Sequence, residues 1–358
     1  MGNDLTYAQR TVMARDASID VLKGISILSI MLLHYEQGLF PGWLNAWIGN
    51  FMISAFYFTS GWVQSGKPDS TFKEMVRKRW HTLGIPYLCF SALLIGVSLV
   101  FWAIGHYEFR IVLRDIYKTL TLRGIGTLWF LPALFGGEVL AWRFRHDGLL
   151  GRTVLIIVTI AFVCLYAHWD STYAHSGDWW RMADAPFRTL HDALKAWYVI
   201  VIGYYLGKSY RSELADMPPT RKMALGGVVL TWYTLMVFGQ ANGCSSLASS
   251  LGPFGLLLLC QTAGNLACFN WLAWFGQNSL IVMATHYSIL QELCIFINRR
   301  WGTGTEELEG WAALGYFSAS LLVEIPVVCC FKRHCGFVFG KRSLKPMRVA
   351  DVQGNDIL

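Results

Sequence analysis

Two histidines sit where an ionisable side chain is expensive. His34, in GISILSIMLLHY, and His286, in SLIVMATHYSIL, each lie deep in an apolar stretch, and such a residue inside a membrane helix marks a function by default. Lys23 precedes His34 by eleven residues. At about 100° per residue the two side chains fall within about 20° of each other on one helix face, about 16 Å apart along the axis. A cation at the membrane surface and an imidazole half a bilayer away suit an elongated ligand, anionic at one end and reactive at the other, as a coenzyme A thioester is. The competing readings are plainer: a polar hydrogen bond between helices for each histidine, and for Lys23 by itself a side chain reaching back to the headgroups.

A second basic group, in FKEMVRKRWHTLGIPYL, sets Arg77, Lys78 and Arg79 just before an apolar stretch containing Pro86. Such a cluster anchors a helix at the cytoplasmic face, and beside Lys23 it would also clamp phosphates, which forked guanidinium donors match well. Glu36 lies two residues beyond His34 and faces about 200° away on a regular helix, so it is a candidate for the acceptor side rather than a partner of His34. Trp129 is a candidate surface for stacking a sugar, with an interfacial aromatic as the alternative. Glu138 and Glu324 also fall in apolar stretches, but no partner is legible and no role follows.

The scaffold for these residues follows from composition. The 358 residues are 54% hydrophobic and only 15% charged, with 16 Trp and 22 Phe, far more apolar surface than one water-soluble core hides. Crossing about 30 Å of hydrocarbon takes about 20 helical residues, and about ten such stretches recur, near 17–38, 44–64, 83–104, 125–142, 153–168, 193–207, 223–240, 247–264, 276–297 and 311–331. Backbone groups in lipid must be satisfied within the segment, and no run of alternating strands is present, so the expected fold is an all-α polytopic bundle.

Loop charge sets the expected orientation. Most of the 30 basic residues gather in alternate connections on one side, which predicts an even number of crossings with both termini cytoplasmic. Residues 105–124 go against this, with four basic residues on the outer side; either they form an amphipathic interfacial helix or the helix count slips there. Residues 169–192 read as an acidic, Trp-rich outer loop. The polar first fourteen residues and the lack of a cleavage signature predict no removable signal peptide. The chain divides into a tail (1–14), one membrane domain (15–342) and a second tail (343–358).

The net charge of +7 lies between apolar stretches, where it meets anionic lipid headgroups and, as a further reading, a phosphate-bearing donor; no basic patch interleaved with aromatics suggests nucleic acid. Most of the nine cysteines fall inside apolar runs without a CxxC pair, so neither a metal site nor a disulfide framework is indicated.

The opening RDASIDVLKGISILSIMLLHY resembles the first helix of the acyltransferase-3 family, particularly its fucose 4-O-acetylase-like members, whose signature is a basic residue, ten others and a histidine. Lys23 and His34 occupy those positions, with Asp20 in the usual Asp-x-x-Lys-Gly context. FMISAFYFTSGW, RKRWHTLGIPYL and LWFLPALF resemble the family's following helices, and WFGQNSLIVMATHYSIL its late helix, through Gly276, Ser279, Leu280 and His286. Thr82 stands where relatives often carry a further basic residue. The resemblance covers residues 14 to 342. It implies a bacterial inner-membrane enzyme that passes an acyl group, usually from cytoplasmic acetyl-CoA, to a hydroxyl of a carbohydrate or lipid-linked glycan on the far side, without a metal. In such a reaction His34 is the candidate general base, and His286 orients the acceptor or supports His34.

The alternative is a secondary transporter or flippase, in which His34, His286, Glu138 and Glu324 line a proton or substrate path. The Lys23-to-His34 spacing and the lack of matched halves favour the acyltransferase.

Overall fold

The computed structural model describes residues 16–35, 38–173, 177–239, 245–262, 267–302 and 310–339. Glu36 and the tails 1–14 and 343–358 lie outside the described residues. Every regular element described is helical: α1 (Ala17–Tyr35), α2 (Gly42–Met52), α3 (Ser54–Gln64), α4 (Phe72–Arg79), α5 (Ile85–Ala103), α6 (Phe109–Leu120), α7 (Phe130–His146), α8 (Leu149–Tyr173), α9 (Asp178–Ser209), α10 (Pro219–Phe238), α11 (Ser245–Thr262), α12 (Ala267–Gln277), α13 (Ser279–Thr285), α14 (Glu292–Trp301) and α15 (Gly310–His334).

The expected all-α polytopic architecture is present. Among the described residues five helical stretches are long and apolar enough to cross a membrane: Ala17–Tyr35, Phe72–Ala103, Leu149–Tyr173, Ser279–Trp301 and Trp311–His334. α8 shows why the surroundings must be lipid. None of its side chains is buried, and Ile157, Val158, Ile160 and Leu165 all lie exposed.

Several boundaries differ from the sequence reading. The span expected at 44–64 is two helices meeting at Ile53. α4 starts at a Thr71–Glu74 capping box and reaches α5 through a π-helical turn, Trp80–Gly84, directly ahead of Pro86. That widened turn accommodates a ring that would otherwise press on the carbonyl four residues earlier. Residues 105–124 contain the amphipathic helix α6. The loop expected at 169–192 is mostly the ends of α8 and α9, closed by an aromatic stack in which Trp169 packs on Trp180 and Phe187, with ring centroids 5.1 and 6.0 Å away. Two of its acids are internal ties rather than a free polar face: buried Asp184 accepts from the Tyr166 hydroxyl at 2.9 Å, and Asp192 pairs with Arg123 at 2.8 Å.

The region before residue 276, expected to be a connection, holds α12, which packs along α1. Two glycines permit this approach. A Cβ at Gly24 would fall 1.9 Å from the Leu272 carbonyl oxygen, and one at Gly276 would fall 1.8 Å from that of Asp20. Close backbone contact through small residues is how helices associate in lipid, where apolar side chains gain nothing by leaving it. α1 is thereby fixed between α12 and the centre of the bundle, where Leu22, Ile27, Met31, Phe58, Leu131 and Val282 are buried.

Candidate active site

His34 comes from the last turn of α1, and His286 opens a π-helical turn, His286–Gln291, that links α13 to α14. The two rings, 252 residues apart in sequence, meet with Nδ1 of His34 3.1 Å from Nε2 of His286. Nδ1 of His286 lies 2.8 Å from the Val282 carbonyl. A carbonyl only accepts, so Nδ1 of His286 carries hydrogen and its Nε2 presents a lone pair. His34 then donates from Nδ1, and its Nε2 is left as a basic nitrogen. The ring is held further by Tyr287, whose centroid is 4.7 Å away, while the Gln291 amide donates to the His34 carbonyl at 2.7 Å.

Behind His286, which is fully buried, lies a polar layer from α15. Thr285 donates to Glu324, 2.9 and 3.1 Å from its two oxygens, and the Tyr35 hydroxyl lies 2.6 Å from that of Ser320. These hydroxyls are polar partners that the apolar helices supply there, and they satisfy groups that lipid would not.

Two cavities flank this centre. The larger, about 450 Å³, is lined by His34, Trp129, Tyr287, Arg114, Asp115 and Lys118, among others. The smaller, about 220 Å³, is lined by Lys23, Lys67, Arg79, Glu138, Ser60 and Ser279, among others. Phe130 and Met283 line both and form the wall between them. Phe130 is fixed by stacking on Tyr57, with centroids 5.1 Å apart and planes inclined by 17°, and by an edge contact with Phe56 at 5.6 Å. The Met283 carbonyl accepts from the Thr127 hydroxyl, on the 3-10 turn Gly126–Trp129. That turn fits closely against the π-helical turn, for a Cβ at Gly126 would lie 2.2 Å from the Ser288 hydroxyl oxygen.

The structure thus brings Lys23 and Arg79 together on one cavity and His34 with Trp129 on the other, while His286 supports His34 from behind. Arg77 and Lys78 are exposed and line neither cavity. Thr82 is exposed as well and donates to the Lys78 carbonyl at 3.1 Å. One face of the Trp129 ring is approached by Arg123, with the guanidinium carbon 5.6 Å from the centroid. Glu138, without a role in the sequence reading, forms an ion pair with Arg79 and accepts a hydrogen bond from Ser60. Its depth in an apolar stretch was the available signal; the partner, from a different helix, was not. Arg114, Asp115, Lys118 and Tyr287 were likewise not singled out. Among the described residues no cluster of His, Cys, Asp or Glu is arranged to hold a metal ion.

The fold and site define a polytopic membrane protein with a histidine pair, buried His286 behind half-buried His34, between a cationic cavity and a mixed-charge one. A family model described as an acyltransferase domain matches residues 16–329, and the chain belongs to the acyltransferase-3 family of membrane acyltransferases. Neither the curated proteins nor the solved structures contain a match.

Proposed function

We propose that the protein is an O-acetyltransferase that takes the acyl group of cytoplasmic acetyl-CoA and delivers it to a hydroxyl of a carbohydrate or lipid-linked glycan on the outer side of a bacterial inner membrane. The observation that carries this reading is the pair of cavities meeting at Phe130 and Met283, one with Lys23 and Arg79, the other with His34. Lys23, Lys67 and Arg79 suit the phosphates of the donor, and the small volume of their cavity, about 220 Å³, suits an acyl-bearing arm rather than a nucleotide. Arg77 and Lys78 add positive charge nearby, and an orientation with about ten crossings and both termini cytoplasmic puts all of these on the donor side.

His34 takes the acceptor hydroxyl proton on Nε2 as the oxygen forms its bond to the acyl carbon. The carbon–sulfur bond breaks, the electron pair leaves with the thiolate, and the proton held at His34 returns to sulfur, so that one ester and one free thiol replace one thioester and one alcohol. His286 keeps the His34 ring in the required tautomer throughout, and Trp129 offers an apolar face to a sugar ring. The experiment is release of free CoA from acetyl-CoA by the purified, membrane-inserted protein, with and without a glycan acceptor. Acceptor-dependent release with an equal yield of ester is expected; release of CoA without ester, or none with any glycan, would overturn the reading.

A further inference from the structure

The charges lining the larger cavity are answered one by one, with an exception. Asp115, 2% exposed, accepts from the Ser98 hydroxyl at 2.7 Å and faces Nε and Nη2 of Arg114 at 3.4 Å. Glu292 is met by the Tyr107 hydroxyl and by His106 at 3.9 Å. Arg123, close by, pairs with Asp192 at 2.8 Å. The ammonium of Lys118, half-buried on α6 and lining the same cavity, has neither a hydrogen bond nor an ion pair among the described residues.

Its neighbours make this costly. Arg114 and Arg123 both act on the Lys118 ammonium, against the single carboxylate of Asp115. Burial first, and then Arg114, hold its pKa below that of an ordinary lysine. A desolvated cation beside other cations gains most from an anion entering the cavity.

We propose that the larger cavity takes an acceptor bearing an anionic oxygen group, a carboxylate or phosphate, and that Lys118 binds this group, with Arg114 beside it. The assignment rests on the acyl-transfer reading and deepens it, adding a charge requirement to a hydroxyl-bearing acceptor. An acidic sugar or a sugar phosphate fits; a wholly neutral glycan leaves Lys118 unanswered.

The test compares the parent with Lys118→Gln and Lys118→Arg in phosphatidylcholine nanodiscs, using a methyl glucoside and the corresponding methyl glucuronide as acceptors. The Lys118 side chain gives up no bond among the described residues when replaced, so the variants keep the fold. The ratio of kcat/KM for glucuronide over glucoside should fall about tenfold or more in Lys118→Gln and recover in Lys118→Arg. An unchanged ratio would overturn the proposal. So would a Lys118→Gln effect that follows phosphatidylglycerol content and ignores acceptor charge, which would make the site a lipid-headgroup contact. If the parent acylates neither sugar, the failure belongs to the acyl-transfer reading, and calorimetric titration with the same sugars decides the Lys118 site. Tighter glucuronide binding that Lys118→Gln abolishes supports it, and equal binding of both sugars removes it.

Discussion

Nδ1 of His34 stands 3.1 Å from Nε2 of His286, and the other nitrogen of His286 is engaged by the Val282 carbonyl. This sequence of contacts fixes both tautomers. An imidazole in lipid without such a partner presents either nitrogen; here the donor side of His34 is used up and the acceptor side stays available. No carboxylate is needed to hold the pair, which suits a site where a second buried charge would be costly.

His286 is therefore expected to be a positioning residue. His286→Leu removes the acceptor for His34, yet leaves the Val282 carbonyl satisfied, since the main-chain N–H of residue 286 also bonds to it. Turnover should fall on the order of 10²-fold with little change in acyl-CoA affinity, and His286→Gln, whose amide oxygen still accepts, should recover part of the loss. Steady-state kinetics with donor titrations on the same samples distinguish this from a folding defect, which would lower both.

On the donor side, the exposure of each cation separates the four basic residues. Lys23 and Arg79 line the smaller cavity, whereas Arg77 and Lys78 do not. Lys23→Ala should weaken acyl-CoA binding by about tenfold or more, the worth of a charge-assisted contact, and the double replacement of Arg77 and Lys78 by Ala should cost less. Isothermal titration with acetyl-CoA measures both, and the reverse order would move the phosphates away from this cavity.

Phe130 is expected to govern what passes between the cavities. It is 6% exposed and shared by both linings, so Phe130→Leu opens the wall while keeping the position apolar. The kcat/KM for butyryl-CoA relative to acetyl-CoA should rise several-fold. An unchanged ratio would show that the acyl group does not cross at this residue.

Much of the fold was legible because lipid imposes a single rule, that long apolar stretches become helices. Lys23 and His34 could be placed on one face from helical geometry alone, being on the same helix. The failures came where the chain departs from a regular span. α12 was hidden because its eleven residues are too few to read as a span, and the end of α8 with the start of α9 looked like loop because the aromatic stack of Trp169 supplies packing that their polar residues conceal. At the site, the Arg79–Glu138 pair and the His34–His286 contact join distant helices, and spacing along a sequence carries no information about which helices meet.

The central claim is that His34 is the general base, and turnover of His34→Ala measures it most directly. Alanine favours helix, and α1 is held to α12 at Gly24 and Gly276, away from residue 34, so insertion should persist. With acetyl-CoA affinity measured on the same membrane-inserted preparation, acyl transfer should fall on the order of 10² to 10⁴, about 3 to 5 kcal/mol of barrier, while donor binding stays close to that of the parent. Near-parental turnover by His34→Ala, with the donor still bound, would contradict the assignment.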